Sequence, residues 1–430
     1  MNVAVFKFGG GTVNSPDGYR NVAEILKLYS GKSIMVILSA MGKTTNLLEG
    51  MLASYLNGDA VTMVEQYHSL KDDHLAIASS LVQDTQNPVF AELTGWFEKL
   101  RAALTTPPTK SYDEHYDEIV GFGEYFSTSL LHHYLILNGF TNTLFDARNL
   151  IITDTTFRDA GVNWSKTQLA VQKKLFPFFQ ETKGRIALTQ GFLGSDGAGH
   201  ATTLGREGSD YTAAILAYCM RVKEMTIWKD VPGVMNADPK WFDNPEKLEE
   251  LSFHEAVELA YYGASVIHPK TIKPLENANI RLQVRSFYDP MAPGTRIQNL
   301  TEWQISTPIF IRKQNQALIS VSPRDFSFIL EENLRQIFEV LARLQVKVNV
   351  MQNSAISFSI CIDQDPLKTQ PLITELQKNY EVRYNLGLDL YTIRHYTGEA
   401  IEQIVSDRTV LLEQKSRSTI HLVVQEKPLP

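Results

Sequence analysis

Residues 202–220, TTLGREGSDYTAAILAYCM, read as a turn that feeds directly into the start of a buried helix, and the fold follows from that reading. Gly205 and Gly208 permit close backbone approach, and Ser209 is the expected N-cap. Residues 213–217, AAILA, are too apolar for a surface helix. The first amides of such a helix attract anions, and Arg206 adds a planar fork suited to carboxylate or phosphate. A capped core helix with a surface arginine is the alternative at this point.

Working outward, the chain has 430 residues, enough for two or three domains. Its 43% hydrophobic and 21% charged content is that of a globular protein. No apolar run approaches the ~20 residues of a membrane span, and the first residues, MNVAVFKFGG, lack the apolar core of a signal peptide. The expected location is the cytoplasm. Cys219 and Cys361 are too few and too far apart for a disulfide framework or a zinc site, so no residue is assigned to a metal. The net charge of −7 argues against a nucleic-acid surface.

Residues 3–8 form a short apolar run that ends in Gly9, Gly10 and Gly11, a strand followed by a phosphate-loop-like turn, with the Lys7 ammonium placed for phosphate oxygens. An edge-strand lysine beside a flexible loop is the alternative. Residues 33–39 are a second buried strand, leading to the polar loop AMGKTTN, and such loops carry ligands in α/β sheets. Residues 47–104 and 112–139 have helical spacing, the latter with GEYFST at 123–128. There Glu124 is a candidate for an ammonium group, or a solvated helix-face carboxylate. His132 and His133 are adjacent, point to different helix faces and read as structural. A strand at 224–228 ends in two polar turns, KDVPGV and NADPK, which suggest a nucleotide rim. Strands alternating with helices predict a mainly parallel sheet with helices on both faces. Beyond residue 308 the pattern becomes βαββαβ, followed by a second, similar unit too short to be complete.

Six ordered motifs, KFGGGTV (7–13), LSAMGKTTNLL (38–48), GEYFST (123–128), TLGREGSDYTAA (203–214), WKDVPGVMNADP (228–239) and YYGASVIHP (261–269), resemble those of the aspartate kinases of the amino acid kinase superfamily. The tail resembles their paired ACT regulatory domains. Gly11 departs from a usual threonine, Glu207 from a common glycine, and Ser265 from a lysine that in many members reaches the nucleotide phosphates, for which Lys270 is the candidate substitute and a bystander lysine the alternative. The resemblance implies an amino acid kinase-like catalytic domain over residues 1–300. It also implies a ferredoxin-like (ACT) α+β regulatory region over 308–430, its second unit abbreviated.

The resemblance further implies transfer of the ATP γ-phosphoryl group, with Mg2+, to the β-carboxylate of L-aspartate, the first step toward lysine, threonine and methionine. Lys7 and Asp210 would be catalytic. Ser39, Thr45, Glu124, Arg206 and Ser209 would bind the substrate, with Arg206 on the α-carboxylate and Glu124 on the α-ammonium. Lys7, Gly9, Gly10, Trp228, Lys229, Asp230, Asp238, Lys240 and Lys270 would hold the nucleotide. An amino-acid effector, lysine or threonine, would sit near Ser327, Leu334, Val348, Asn349 and Ser354, at a homodimer or dimer-of-dimers contact. Lysine-inhibited relatives carry an aspartate near Asn349 and a glutamate near Ala355. The alternatives are a catalytically dead amino-acid sensor and a sister kinase acting on glutamate, acetylglutamate or UMP.

Overall fold

The computed structural model describes residues 2–264, 267–300, 307–325 and 327–426. Ser265, the departure noted above, lies outside them. The chain divides into two compact units, residues 1–234, 247–257 and 265–301 in one and residues 235–246, 258–264 and 302–430 in the other. The second unit therefore takes in two segments that precede the expected boundary at 300–308.

The first unit is built as β1 (Val3–Phe8), α1 (Pro16–Leu28), β2 (Ser33–Leu38), α2 (Thr44–Leu56), α3 (Ala60–Leu81), α4 (Pro88–Thr105), α5 (Tyr112–Val120), α6 (Phe122–Leu137), β3 (Asn142–Phe145), α7 (Trp164–Glu181), β4 (Ile186–Gln190), β5 (Leu193–Ser195), β6 (Ala201–Thr203), α8 (Gly208–Met220), β7 (Glu224–Lys229), β8 (Glu250–Ser252), α9 (Phe253–Tyr262), α10 (Pro269–Asn277), β9 (Arg281–Ser286) and β10 (Thr295–Gln298). The last turns of α9 belong to the second unit. Eight strands form one sheet in the order β3-β4-β2-β1-β7-β9-β10-β8. All pairings are parallel except β9 with β10. Every residue of β2, SIMVIL, is buried, as expected of a strand covered on both faces. The chain leaves β1 to one side for β2 and returns to the other side for β7, so the carboxyl end of β1 lies at a topological switch point, where such sheets bind ligands.

Turn chemistry holds that end of the sheet open. A Cβ at Gly10 would stand 2.4 Å from the Ala40 carbonyl, so only glycine lets the loop after β1 lie against the loop after β2. Gly42 N–H donates to the Gly10 carbonyl at 3.0 Å and fixes the contact.

The second unit is a six-stranded antiparallel sheet, order β12-β13-β11-β14-β16-β15. Its elements are β11 (Ile309–Pro323), α11 (Glu331–Arg343), β12 (Val348–Asn353), β13 (Phe358–Asp363), α12 (Pro366–Leu376), β14 (Tyr380–Arg394), α13 (Gly398–Val405), β15 (Arg408–Lys415) and β16 (Thr419–Glu426). The two 15-residue strands β11 and β14 pair along almost their whole length and serve both halves of the sheet. One half is βαββαβ, with α11 and α12 over Ala317, Ile319 and Val321. The other half holds the unit that reads in sequence as too short to be complete. Its apolar face, including Phe310, Tyr391, Ile393, Ile420 and Leu422, packs against Ala400 and Ile404 of α13 and against Ala237, Trp241 and Phe242 of the early segment 235–246. A sequence-distant piece thus closes what looked incomplete.

The expected effector residues spread over this unit. The side chains of Leu334 and Val348 pack against the α11/α12 core. Ser327 turns onto Asp325 and Ser354 onto Ser357, while Ile329 N–H donates to the Ala355 carbonyl at 2.9 Å and joins loop to turn. Asn349 is internally engaged: it accepts from the Lys313 ammonium at 2.9 Å and donates to Gln316 and Asp363, both at 2.8 Å. Burial pulls the Lys313 ammonium below its ordinary pKa, against the opposing pull of Asp363.

Candidate active site

At the carboxyl ends of β1, β2 and β4 the first unit opens a cavity of ≈ 920 Å³, lined by Lys7, Gly10, Ser39, Thr45, Glu124, Arg206, Ser209, Asp210 and Lys270 among others. The α8 segment builds one wall. The helix starts at Gly208 and its N-cap is Glu207, held in the left-handed region at φ 55°, so Ser209 lies within the first turn instead of capping it. A non-glycine residue there costs of order 1–2 kcal/mol. The Glu207 carboxylate offsets this by accepting from the backbone N–H of His268 at 3.1 Å, which gives the departure from glycine a function.

Lys7, on β1, is buried and forms an ion pair of 2.6 Å with Asp210, in the first turn of α8. Burial pushes the Asp210 carboxyl up, but the charges of Lys7 and Lys229 outweigh it and hold the group below its usual range. Two ammonium groups thus favour the ionised form of a carboxyl that burial alone would keep protonated.

Glu124 presents the opposite case. It projects from α6 and is 3% exposed. One oxygen accepts from the Ala40 N–H at 3.3 Å, and the other has no hydrogen-bond partner among the described residues. Burial raises its pKa to about 8, with the Ala40 N–H and Lys7 pulling weakly the other way. A buried carboxyl with a spare oxygen on a cavity wall is a place for a donor that arrives from outside. Arg206 is exposed on the same cavity and makes no ion pair among the described residues. Ser127 fixes α6 to the loop after β2 by donating to the Ser39 carbonyl at 2.8 Å.

The expected nucleotide residues divide. Gly10 and Lys270 line the cavity, and a Cβ at Gly9 would stand 3.4 Å from the Lys7 ammonium. Lys229 and Asp230 lie at the carboxyl end of β7. Trp228 is corrected: its indole is fully buried, stacked on Phe8 with a centroid separation of 6.2 Å and packed edge-on to Phe6, so it offers no face to a ligand. Asp238 and Lys240 belong to the second compact unit, where the Asp238 carboxylate accepts from the Lys240 backbone N–H at 2.9 Å. Lys270, at the start of α10, has its ammonium on the Asp159 carboxylate.

Sequence reasoning missed Arg158 and Asp159, both on the cavity wall. Asp117 of α5 positions them: it is 1% exposed and accepts from the Arg158 N–H and from the N–H and hydroxyl of Thr203. The signal available was FRDAG at 157–161, opposite charges in a turn, which is common on any surface.

A sequence profile described as the amino acid kinase family matches residues 2–286. The lysine-sensitive aspartokinase 3 of Escherichia coli is 31% identical over 91% of this chain and 86% of its own length. The chloroplastic aspartokinase 3 of Arabidopsis thaliana is 32% identical over 86% of this chain and 66% of its own. The chain is an aspartokinase of the amino acid kinase family. Among solved structures, E. coli aspartokinase III in complex with lysine and aspartate superposes with a TM-score of 0.82 at 28% identity, covering 99% of this chain and 96% of that one. The same enzyme in complex with aspartate and ADP gives 0.80, over 98% and 96%. The aspartokinase fold includes the ACT-like sheet of the second unit, and no helix among the described residues is long and apolar enough to cross a membrane.

Proposed function

We propose that the cavity binds L-aspartate between Arg206 and Glu124 and presents its β-carboxylate to the γ-phosphoryl group of ATP beside Lys7. The reaction is that of an aspartate kinase, giving 4-phospho-L-aspartate, the first step toward lysine, threonine and methionine. The observation that supports this reading is one cavity lined both by a guanidinium that makes no ion pair among the described residues, for the α-carboxylate, and by a buried carboxyl with one unpartnered oxygen, for the α-ammonium. The nucleophile is a carboxylate that ordinarily titrates near pH ~3.9 and is already ionised at neutral pH. No general base is needed, and the work left to the protein is alignment and charge neutralisation. Lys7 supplies the positive charge and Asp210 holds its ammonium in place. Ser39, Thr45 and Ser209 hydrogen-bond the substrate, Gly9, Gly10, Lys229 and Lys270 hold the phosphates, and Asp230 lies on the nucleotide rim.

Magnesium enters with the nucleotide. Among the described residues no group of three or more His, Cys, Asp or Glu is placed to hold a metal ion. Mg2+ needs only one or two carboxylates when phosphates complete its shell, and Asp210, a buried carboxylate held below its usual pKa on this cavity, would be one. When bound it supplies further charge neutralisation to the phosphoryl oxygens.

The regulatory proposal is a homodimer or dimer of dimers through the second unit, whose edge strands β12 and β15 remain available for pairing. Lysine would bind weakly there, leaving threonine or no effector. The decisive experiment is ADP release on a panel of aspartate, glutamate, acetylglutamate and UMP, with light scattering for the assembly. Turnover with aspartate alone is expected. Turnover with none would mark a sensor without activity, and preference for another acceptor would mark a sister kinase.

A further inference from the structure

The amino end of the same parallel sheet carries a second cavity, of ≈ 530 Å³, with no part in the chemistry above. Three helix-to-strand turns meet there, and each brings a lysine. Lys32 immediately precedes β2, Lys183 lies just before β4, and Lys223 immediately precedes β7. The strand order β4-β2-β1-β7 sets these turns side by side around the start of β1. At about 4.8 Å per strand the row spans roughly 14 Å, the length of a small organic molecule with its hydrogen-bonding shell. The half-buried Tyr29 ring and the edge of Phe179 supply aromatic surface within it, backed by the buried Phe6.

None of the three ammonium groups makes an ion pair among the described residues; Lys32 rests over the Tyr29 ring at 5.1 Å from its centroid. The one acid of the cavity, Glu224, is taken by Arg281 at 3.3 Å and Gln283 at 2.8 Å. Each lysine follows a helix C-terminus, where a cation complements the macrodipole, and that alone accounts for one lysine per turn. It does not account for a recess with aromatic walls between them. Three helix ends contribute roughly half a negative charge each, against three full positive charges, so the cavity stays electropositive in a chain of net charge −7.

We propose that this cavity is a binding site, separate from the catalytic one, for a small amphipathic anion: an aromatic or branched apolar body bearing one carboxylate or phosphate. The apolar body lies against Tyr29 and Phe179, and the acid group reaches the lysine row. A purely polar anion gains nothing from the aromatic walls, and an uncharged ring gains nothing from the lysines.

The test is calorimetric titration of the full-length protein, held with saturating aspartate and ADP so that the catalytic cavity is filled. Phenyl phosphate and phenylacetate are the probes, with benzyl alcohol and inorganic phosphate as controls. One aromatic anion, or both, should bind at least about tenfold more tightly than either control, and the tighter of the two identifies the acid group. The variant Lys32→Gln/Lys183→Gln/Lys223→Gln should lose about tenfold in that affinity while keeping its kinase activity. Phe179→Leu should weaken the aromatic anions and leave inorganic phosphate unchanged. Binding of neither probe, equal binding of benzyl alcohol, or undiminished affinity in the triple variant would overturn the proposal.

Discussion

Lys7 is paired with the Asp210 carboxylate in the free protein and, in the proposed reaction, meets the phosphoryl group during transfer, so its removal should show both dependences. Lys7→Ala is expected to lower kcat at least about 100-fold, the scale on which one electrostatic donor is lost. It should also destabilise the fold by about 3–5 kcal/mol, because Asp210 is left charged and buried. Lys7→Ala/Asp210→Asn should recover most of the melting temperature and none of the kcat. A double variant that regains kcat would remove Lys7 from the chemistry. Glu124 separates binding from chemistry in another way. Its pKa near 8 lies above the ordinary carboxylate value of 4.5, so the folded, ligand-free protein holds a proton that the unfolded chain has lost. The stabilisation is therefore complete below 4.5 and is lost as pH rises through 8. Melting curves of the ligand-free protein should show this decline, and Glu124→Gln should flatten it. The same variant should raise the aspartate KM far more than the ATP KM. Equal effects on both would make Glu124 structural.

At the scale of elements, the placement of α8 depends on residues that never touch substrate. A Cβ at Gly191 would stand 2.4 Å from the Ser209 Oγ and 2.8 Å from its Cα. Gly191→Ala therefore has to push the first turn of α8, carrying Ser209 and Asp210 with it. Overpacking of this kind costs about 1–3 kcal/mol, and a shift approaching ~1 Å at a reacting group costs about 100-fold. A crystal structure of the variant with steady-state kinetics checks both, and unchanged kcat/KM would show that the turn tolerates the shift. The core of this arrangement is legible in the sequence. Lys7 before its glycines, Glu124 in GEYFST, and Arg206 with Asp210 at a helix start all line one cavity, because each lies at or just beyond a strand end or helix start and the parallel sheet gathers those ends. What escapes are Arg158 and Asp159, held by Asp117 through backbone amides that no side-chain pattern announces. Trp228 misleads for the complementary reason: a tryptophan at a strand terminus looks available until the packing of Phe6 and Phe8 is known.

For the whole molecule, the regulatory unit is legible only in part. The first half of β14 reads as polar and exposed, and its ladder with β11 is backbone pairing between distant segments, invisible to periodicity. The cover supplied by Trp241 and Phe242 comes from far upstream of the sheet, before β8, which is why the second half looks unfinished in the sequence. The same unit carries a prediction about inhibition. At the proposed effector site, with Asn349 where the lysine-inhibited relatives carry a carboxylate and already engaged by Lys313, an incoming lysine ammonium would lose charge-assisted bonds worth about 1.5–3 kcal/mol each. Activity should then survive micromolar lysine, and strong inhibition in that range would show that other groups rebuild the pocket.

The long strands β11 and β14 also set a mechanical condition on this unit. Because both run through the two halves of the sheet, neither half can change its twist without imposing torque on the other. Asn315 (φ 55°) and Gly387 (φ 66°) mark left-handed kinks where the ladder slips register, a joint in an otherwise continuous torsion bar. A disturbance at β12 would reach β15 as rotation about that joint as well as through the Gln414 amide, which donates to the Met351 carbonyl at 3.0 Å.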